Sequence, residues 1–163
     1  MASSMGKKSR IGLEMQNITT VSFDSGNSQH RQDLEGLFLE YSSTVALDIV
    51  DKLSSLIYFT GFILYVDKNP AGFAVCFESF STYRSQPVLN IHDFMIAKAF
   101  RGTGLGKNLL AAIEEHARKN DMVKITLEVD DDNHVAKKLY ARCGFEDHQV
   151  VLKSLLHWQK YLN

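Results

Sequence analysis

The chain has 163 residues, of which 45% are hydrophobic and 23% charged, and its formal net charge at pH 7 is −1. This length suits a single domain with a substantial core, and the balanced charge does not favour nucleic acid as a partner. No apolar run approaches the roughly 20 residues of a membrane span. We therefore expect a cytoplasmic globular protein with no membrane partner.

Two stretches with different composition divide the chain. Residues 1–16 start with small, polar and basic side chains, so we expect a disordered tail, and residues 17–163 are expected to form one domain. Both cysteines, Cys76 and Cys143, lie in apolar surroundings, which is typical of buried thiols rather than a disulfide.

The first elements are a strand and two helices. Alternating β-branched residues predict a strand at Ile18–Phe23. Ser28 is expected to cap a helix that reaches about Tyr41, because apolar residues recur there at helical spacing. The same spacing predicts a second helix over Ser43–Ser54.

The central elements are a β-hairpin, a strand and a helix. The hairpin has apolar arms at Phe62–Val66 and Ala71–Phe77, joined by the turn residues Asp67–Pro70. Another strand, Val88–Ile96, leads into three glycines at alternate positions. A helix with one apolar stripe follows the third of them, Gly106.

The last elements are a strand, a short helix and one or two closing strands. Val123–Val129 alternates between apolar and polar residues, and Asn133 is placed to cap the next helix. Gly144 stands where that helix needs a left-handed residue. Val150–Leu152 and Leu155–Leu162 are predicted to be strands. This order indicates an α+β or mixed-sheet α/β domain.

The glycine segment suits a bound phosphate, because glycines allow close approach and a helix N-terminus attracts anions. A Walker A loop is excluded, since it would need glycine at Arg101 and a hydroxyl at Asn108. A dinucleotide fingerprint is excluded too, because its last glycine would fall on Lys107 or Leu109.

The segment instead matches Arg/Gln-x-x-Gly-x-Gly/Ala, as Arg101-Gly-Thr-Gly-Leu-Gly106, and resembles the acetyl-CoA loop of the GNAT acetyltransferase superfamily. The run from Asn133 to Phe145 is similar to the second signature of that superfamily, Asn-x-x-Ala-x-x-Leu-Tyr-x-x-x-Gly-Phe. Ile91–Phe94 is similar to the diamine acetyltransferase-like branch. The resemblance implies a mixed, mostly antiparallel sheet of about six to seven strands, splayed at the cofactor site, with about four helices.

The resemblance also implies an enzyme that moves acetyl from acetyl-CoA to the primary amine of a small molecule by direct attack in a ternary complex. Two alternatives stay open, a protein lysine or N-terminal acetyltransferase and a non-catalytic acyl-CoA-binding regulatory module. Residues expected to hold the cofactor are Phe94, Met95, Ile96, Arg101, Gly102, Thr103, Gly104, Leu105, Gly106, Lys107, Asn133 and Tyr140. We expect no metal, and a homodimer is one assembly that the resemblance allows.

The chemistry needs a base and an acid. The acceptor ammonium, with a pKa of about 10.4, must lose a proton before it attacks. His92 and Asp93 are the candidate bases, with Glu128 across the gap. Diamine-type relatives tend to carry glutamate where His92 stands, so this sequence departs there. Strand alternation would let only one of the adjacent pair face the thioester, unless a bulge intervenes. Tyr140 matches the family tyrosine and is the expected acid for the departing thiolate.

Overall fold

The computed structural model describes residues 16–147, which form one five-stranded sheet in the order β1-β2-β3-β4-β5. The strands are β1 (Ile18–Ser22), β2 (Phe59–Val66), β3 (Asn69–Ser81), β4 (Gln86–Ile96) and β5 (Lys124–Leu127). The helices are α1 (Ser28–Tyr41), α2 (Ile49–Ser54), α3 (Leu105–Lys119) and α4 (His134–Arg142), with a 3₁₀ turn at Lys98–Phe100. None of the helices between residues 16 and 147 has the length and apolar character needed to cross a bilayer.

Neighbouring strands run antiparallel from β1 to β4, and only β4 and β5 are parallel. This confirms the expected mixed, mostly antiparallel sheet with four helices. The five described strands are fewer than the six to seven expected. The predicted closing strands, Val150–Leu152 and Leu155–Leu162, lie outside the described residues, and so does the expected tail apart from Gln16.

The N-cap of helix α1 lies one residue earlier than expected. Asn27, not Ser28, is the N-cap, because its side-chain oxygen accepts from the backbone N–H groups of Gln29 and His30. Helix α2 is shorter than expected, since the chain is extended at Ser42 and a helix begins again only after Asp48.

The hairpin between β2 and β3 turns more tightly than expected. Asp67 and Lys68 both have positive φ, 49° and 68°, so these two residues alone make the turn. Asn69 and Pro70 belong to β3 rather than to the loop. The tight turn keeps the two arms in register, apart from an irregularity between Leu64 and Tyr65.

The sheet separates two apolar layers. Helix α3 packs its stripe of Leu105, Leu109, Ile113 and Ala117 on one face, as its spacing predicts. Helices α1 and α2 cover the other face. The residues of this second layer include Leu34, Leu37, Phe38, Val50, Leu53, Ile63 and Phe73. Alternation along the strands assigns each side chain to one layer or the other.

Two polar contacts fix α1 against the sheet. The Tyr65 hydroxyl on β2 donates to Oδ2 of Asp33 over 2.7 Å. At the far end of the helix, Oε1 of Glu40 accepts from the backbone N–H of Lys98 over 2.5 Å. The end of α1 is therefore held beside the end of β4, where the glycine loop begins.

Candidate active site

The site begins where β4 loses its parallel neighbour. Strand β4 pairs with β5 only from Val88 to Ile91, whose partners run from Lys124 to Leu127. It then continues to Ile96 with β3 alone beside it. Within residues 16–147 no strand pairs with this last part of β4 on the β5 side. The sheet is thus splayed, and a gap opens between β4 and β5.

Alternation along β4 determines which backbone groups face that gap. The Ala97 N–H donates to the Ala71 oxygen over 2.9 Å, so residue 97 bonds toward β3. In an antiparallel ladder the backbone groups of Met95 then also point toward β3, and those of Phe94 and Ile96 point the other way. The backbone N–H and C=O groups of Phe94 and Ile96 therefore face the gap.

A β-bulge brings the two candidate bases together. Val75 pairs with Asp93 and Cys76 with Ile91, so His92 is an extra residue on β4. Nδ1 of His92 consequently lies 3.1 Å from Oδ2 of Asp93. The His92 ring stands edge-on to Phe77, with centroids 5.4 Å apart. Regular alternation would put the side chains of His92 and Asp93 on opposite faces of the sheet. Because of the bulge, both reach the same face.

The glycine loop has the open shape that an anion needs. Gly102 and Gly104 have φ of 75° and 86°, and a β-carbon built on either residue would meet no atom within 4 Å. In the described part of the chain, no acceptor is bonded to the backbone N–H groups from Gly102 to Gly106. Free N–H groups at the start of α3 suit the pyrophosphate of acetyl-CoA.

Gly106 has a different role from the other two glycines. A β-carbon at this position would lie 2.7 Å from Cδ2 of Leu139, so the glycine lets α3 pack closely against α4. Gly106 places α4 beside the loop, and its side-chain position is already filled by Leu139.

The other loop residues are held by local hydrogen bonds. Nε of Arg101 donates to the Ile96 oxygen over 2.9 Å, and the Thr103 hydroxyl donates to the Phe100 oxygen over 2.6 Å. The Lys107 N–H donates to the Gly104 oxygen, so it is not a free donor like those before it. Arg101 is therefore anchored at the edge of the gap rather than projecting alone into solvent.

Tyr140 reaches the gap from α4, on the α3 side of the sheet. Its ring lies 6.0 Å from the ring of Phe94 and 5.7 Å from that of Phe145, and the residue is 9% exposed. Its hydroxyl has no hydrogen-bond partner among the described residues, yet it is not sealed from solvent. Burial, with a smaller contribution from nearby Tyr41, raises the pKa of Tyr140. Asn133 caps α4 by accepting from the Ala136 N–H.

Tyr41, the last residue of α1, was not expected at the site. Its ring stands edge-on to Phe73, with centroids 5.6 Å apart, and the residue is 44% exposed. Burial raises the pKa of Tyr41, and so does the negative charge of Asp93. Tyr41 and Tyr140 thus approach the gap from opposite faces of the sheet. The only sequence signal for a role of Tyr41 was its position at the end of a predicted helix.

Other candidate groups do not join the site. Cys76 is fully buried, and burial, with a smaller effect of Asp93, raises its pKa to about 12, so it is not poised as a nucleophile. Cys143 is half-buried. Glu128 is exposed just beyond the end of β5. Across residues 16–147, His, Cys, Asp and Glu side chains form no group of three suited to a metal ion.

Known proteins share both this architecture and parts of the sequence. The model of the acetyltransferase (GNAT) family matches residues 19–145. An uncharacterised N-acetyltransferase of Bacillus subtilis is 38% identical over 66 residues, which cover 40% of this chain and 42% of that protein. A thialysine N-epsilon-acetyltransferase of Caenorhabditis elegans is 34% identical over 80 residues, 49% of each chain. The matched segments therefore span about half, or less, of these two relatives.

Among solved structures, an aminoglycoside N-acetyltransferase in complex with CoA superposes with a TM-score of 0.74. The match covers 93% of this chain and all of that one, at 17% sequence identity, and it shows a shared fold. The splayed sheet and the glycine loop agree with this shared fold. Because the family model covers most of the chain, the protein belongs to the acetyltransferase (GNAT) family.

Proposed function

We propose that this protein transfers acetyl from acetyl-CoA to the primary amine of a small molecule, by direct attack in a ternary complex. The observation that carries the proposal is the gap between β4 and β5. The free backbone edge of β4, the open glycine loop and the Tyr140 hydroxyl all border it. A donor, an acceptor and a proton source can meet there.

The donor side would use mostly backbone groups. Acetyl-CoA supplies the activated acetyl thioester. The N–H and C=O groups of Phe94 and the N–H of Ile96 can pair with an amide-bearing chain as a further strand would, while the Ile96 oxygen already accepts from Arg101. The free N–H groups of Gly102 to Gly106 can hold the pyrophosphate, and anchored Arg101 adds a positive charge. The amide nitrogen of Asn133 is open for a further contact, since capping uses its oxygen.

The acceptor side would use His92 and Asp93 together. With Nδ1 directed at the Asp93 carboxylate, His92 presents its other ring nitrogen, Nε2, as the base. Its side chain is 62% exposed and that of Asp93 is 21% exposed, so the base meets solvent while its partner is sheltered. Asp93 orients the ring and stabilises the charge it gains. Glu128 lies beyond the strand end and is a weaker candidate.

Tyr140 would return the proton to the departing thiolate. Its raised pKa keeps the hydroxyl protonated at neutral and mildly basic pH, so it remains a proton donor. Packing between Phe94 and Phe145 fixes the direction of the ring. The Phe94 N–H, which faces the gap, is placed to donate to the acetyl oxygen as negative charge develops.

Two similar proteins favour a small amine as acceptor. One carries the name thialysine N-epsilon-acetyltransferase, and the fold neighbour is an aminoglycoside N-acetyltransferase. Both names denote small molecules that carry amines. The Asp93 carboxylate, which lies beside His92, suits a cationic acceptor. The diamine-type branch, the cytoplasmic location and the homodimer stay predictions.

Release of free thiol from acetyl-CoA tests the proposal. The acceptors are a panel of diamines, amino acids, amino sugars and two peptides, one with a free N-terminus and one with a free lysine only. We expect turnover with at least one small amine and background release without an acceptor. Turnover with the peptides alone would favour a protein acetyltransferase. CoA binding without turnover of any acceptor would favour a non-catalytic module.

A further inference from the structure

The proposed base is an exposed side chain on a bulged strand. His92 is the extra residue of the bulge, and 62% of its side chain is exposed. Its hydrogen bond to Asp93 joins one ring nitrogen, Nδ1, to one carboxylate oxygen over 3.1 Å. A single hydrogen bond leaves the ring free to turn about that contact. A general base must keep Nε2 within hydrogen-bond reach of the amine, so a second contact is needed.

The ring of Phe77 supplies a second contact to His92. The two rings stand edge-on, with centroids 5.4 Å apart and planes at 73°. Aromatic pairs prefer this arrangement at centroid distances of about 4.5–7 Å. The hydrogen bond to Asp93 restrains one atom of the imidazole, whereas the contact with Phe77 restrains the plane of the ring. Together the two contacts define the direction in which Nε2 points.

The register of the sheet places these three side chains on one face. Phe77 packs in the apolar layer beneath α1 and α2, and so does Val75. Val75 is the cross-strand partner of Asp93, and such partners have side chains on the same face. The bulge brings His92 to that face too, where its ring meets Phe77. The contact is thus a consequence of strand pairing.

Phe77 is held more firmly than the base that it contacts. Its backbone lies in β3, paired with Phe59 of β2 on one side and with Asn90 of β4 on the other. Its ring lies 5.9 Å from the ring of Tyr58 and 6.4 Å from that of Phe59. The side chain is therefore part of the core at one edge and touches the exposed imidazole of His92 at the other.

We propose that Phe77 is a positioning residue that holds the His92 ring in the orientation in which Nε2 faces the acceptor amine. The assignment rests on the proposed acetyl transfer, with His92 as the base. Phe77 touches neither the substrate nor the reacting atoms, and it acts through His92. Its loss should therefore slow proton removal and leave the binding of both substrates unchanged.

Steady-state kinetics on the full chain test this role. Phe77→Leu keeps an apolar side chain and removes the ring, so kcat should fall by about twofold to tenfold, the scale of one lost aromatic pair. The KM values for the amine and for acetyl-CoA should stay the same. Phe77→Tyr keeps the ring and should keep the kcat of wild type.

Phe23→Leu is the matched control. Phe23 is half-buried in the same layer as Phe77, and its ring contacts are with His30 and Phe59. This variant loses a ring of the same size from the same layer and should keep the kcat of wild type. An equal fall of kcat in both leucine variants would indicate a general loosening of the layer and would contradict the positioning role.

The double variant tests whether Phe77 acts through His92. In a His92→Gln background, Phe77→Leu should lower kcat no further, because the side chain that it positions is already absent. The same fall in both backgrounds would overturn the proposal.

Proton NMR tests the contact without any substrate. The ring C–H resonances of His92, assigned by their loss in His92→Gln, should be displaced by the ring current of Phe77. They should move toward the values of a free histidine in Phe77→Leu and change little in Phe77→Tyr. Unmoved resonances in Phe77→Leu would overturn the contact.

The two proposals fail in different ways. If wild type acetylates amines and Phe77→Leu has the same kcat as Phe23→Leu, only the role of Phe77 is overturned. If wild type acetylates no amine, the acetyltransferase proposal is overturned, and the positioning role with it. A raised KM for the amine in Phe77→Leu at unchanged kcat would show a role in binding and would contradict positioning.

Discussion

The ring of Tyr140 stands edge-on to the ring of Phe94, with centroids 6.0 Å apart and planes at 74°. Helix α4 is thereby joined to the half of β4 that has no parallel neighbour. The contact matters because it places a hydroxyl at the gap without any hydrogen bond to hold it. Packing of two aromatic rings, rather than polar contacts, determines where the proposed acid lies.

Tyr140→Phe removes the hydroxyl and keeps the ring, so it distinguishes the effect of the hydroxyl from that of the packing. The ring contacts with Phe94 and Phe145 remain, so stability and CoA affinity should be near those of wild type. We expect kcat to fall by about 100-fold, the scale of a lost general acid. Rapid-quench kinetics and calorimetric titration with CoA measure the two effects. A variant that keeps the full rate would show that another group protonates the thiolate.

Gly104→Ala should weaken the donor loop. Gly104 has a φ of 86°, where alanine is strained by about 1 kcal/mol, so the loop must shift and its N–H groups turn away. The KM for acetyl-CoA is expected to rise, with a lower melting temperature.

Gly36→Ala provides the matched glycine control. Gly36 is exposed within α1, and a β-carbon there would meet nothing within 4 Å. Since alanine favours a helix over glycine, this variant should gain about 0.5–1 kcal/mol and keep the KM of wild type. A similar loss of acetyl-CoA affinity in both variants would contradict a specific role for the loop.

The losses in kcat/KM caused by His92→Gln and by Asp93→Asn should not be additive. If Asp93 works by orienting His92, each single change should lower kcat/KM for the amine by about 10- to 100-fold. The double variant should then lose little more than the His92 variant, since a partner already removed cannot be lost again. Fully additive losses would show that the two side chains act independently.

Cys76 should resist thiol reagents in the folded protein. With its pKa raised to about 12, the thiolate is about one part in ten thousand at pH 8, and the side chain is buried. Alkylation of Cys143→Ser followed by mass spectrometry should show labelling only after unfolding. Rapid labelling of that folded variant would contradict the burial.

The raised pKa of Cys76 also makes the free energy of unfolding depend on pH. The folded state keeps the Cys76 proton at pH values where the unfolded chain, with a thiol pKa of about 9.0, releases it. Unfolding therefore becomes easier as pH rises from about 9 toward 12. Cys76→Ala should remove this contribution, which urea unfolding of the two proteins at pH 8 and pH 10 would measure.

Regular spacing allowed much of the fold to be predicted from sequence. The stripe along α3, the Asn133 cap and left-handed Gly144 are local features, and each appears as expected. The glycine loop was identified by its spacing and its place between a strand and a helix. Such features depend on neighbours along the chain, which is why periodicity and capping rules detect them.

Features that depend on distant contacts were not predictable in the same way. The bulge at His92 arises from pairing with β3, and nothing in the sequence of β4 alone specifies it. Tyr41 reaches the site because α1 packs on Phe73 and Glu40 bonds to Lys98. The role of Gly106 required the position of Leu139 on another helix. Tertiary packing determines all three.

Product analysis by mass spectrometry tests the central claim most directly. Wild-type protein is incubated with acetyl-CoA and an active amine from the panel, and free CoA, acetylated amine and acetylated protein are quantified together. Direct attack in the gap predicts equal amounts of free CoA and acetylated amine, with no acetyl group on the protein. CoA release without acetylated amine, or acetyl-protein that forms and then decays into product, would contradict the account.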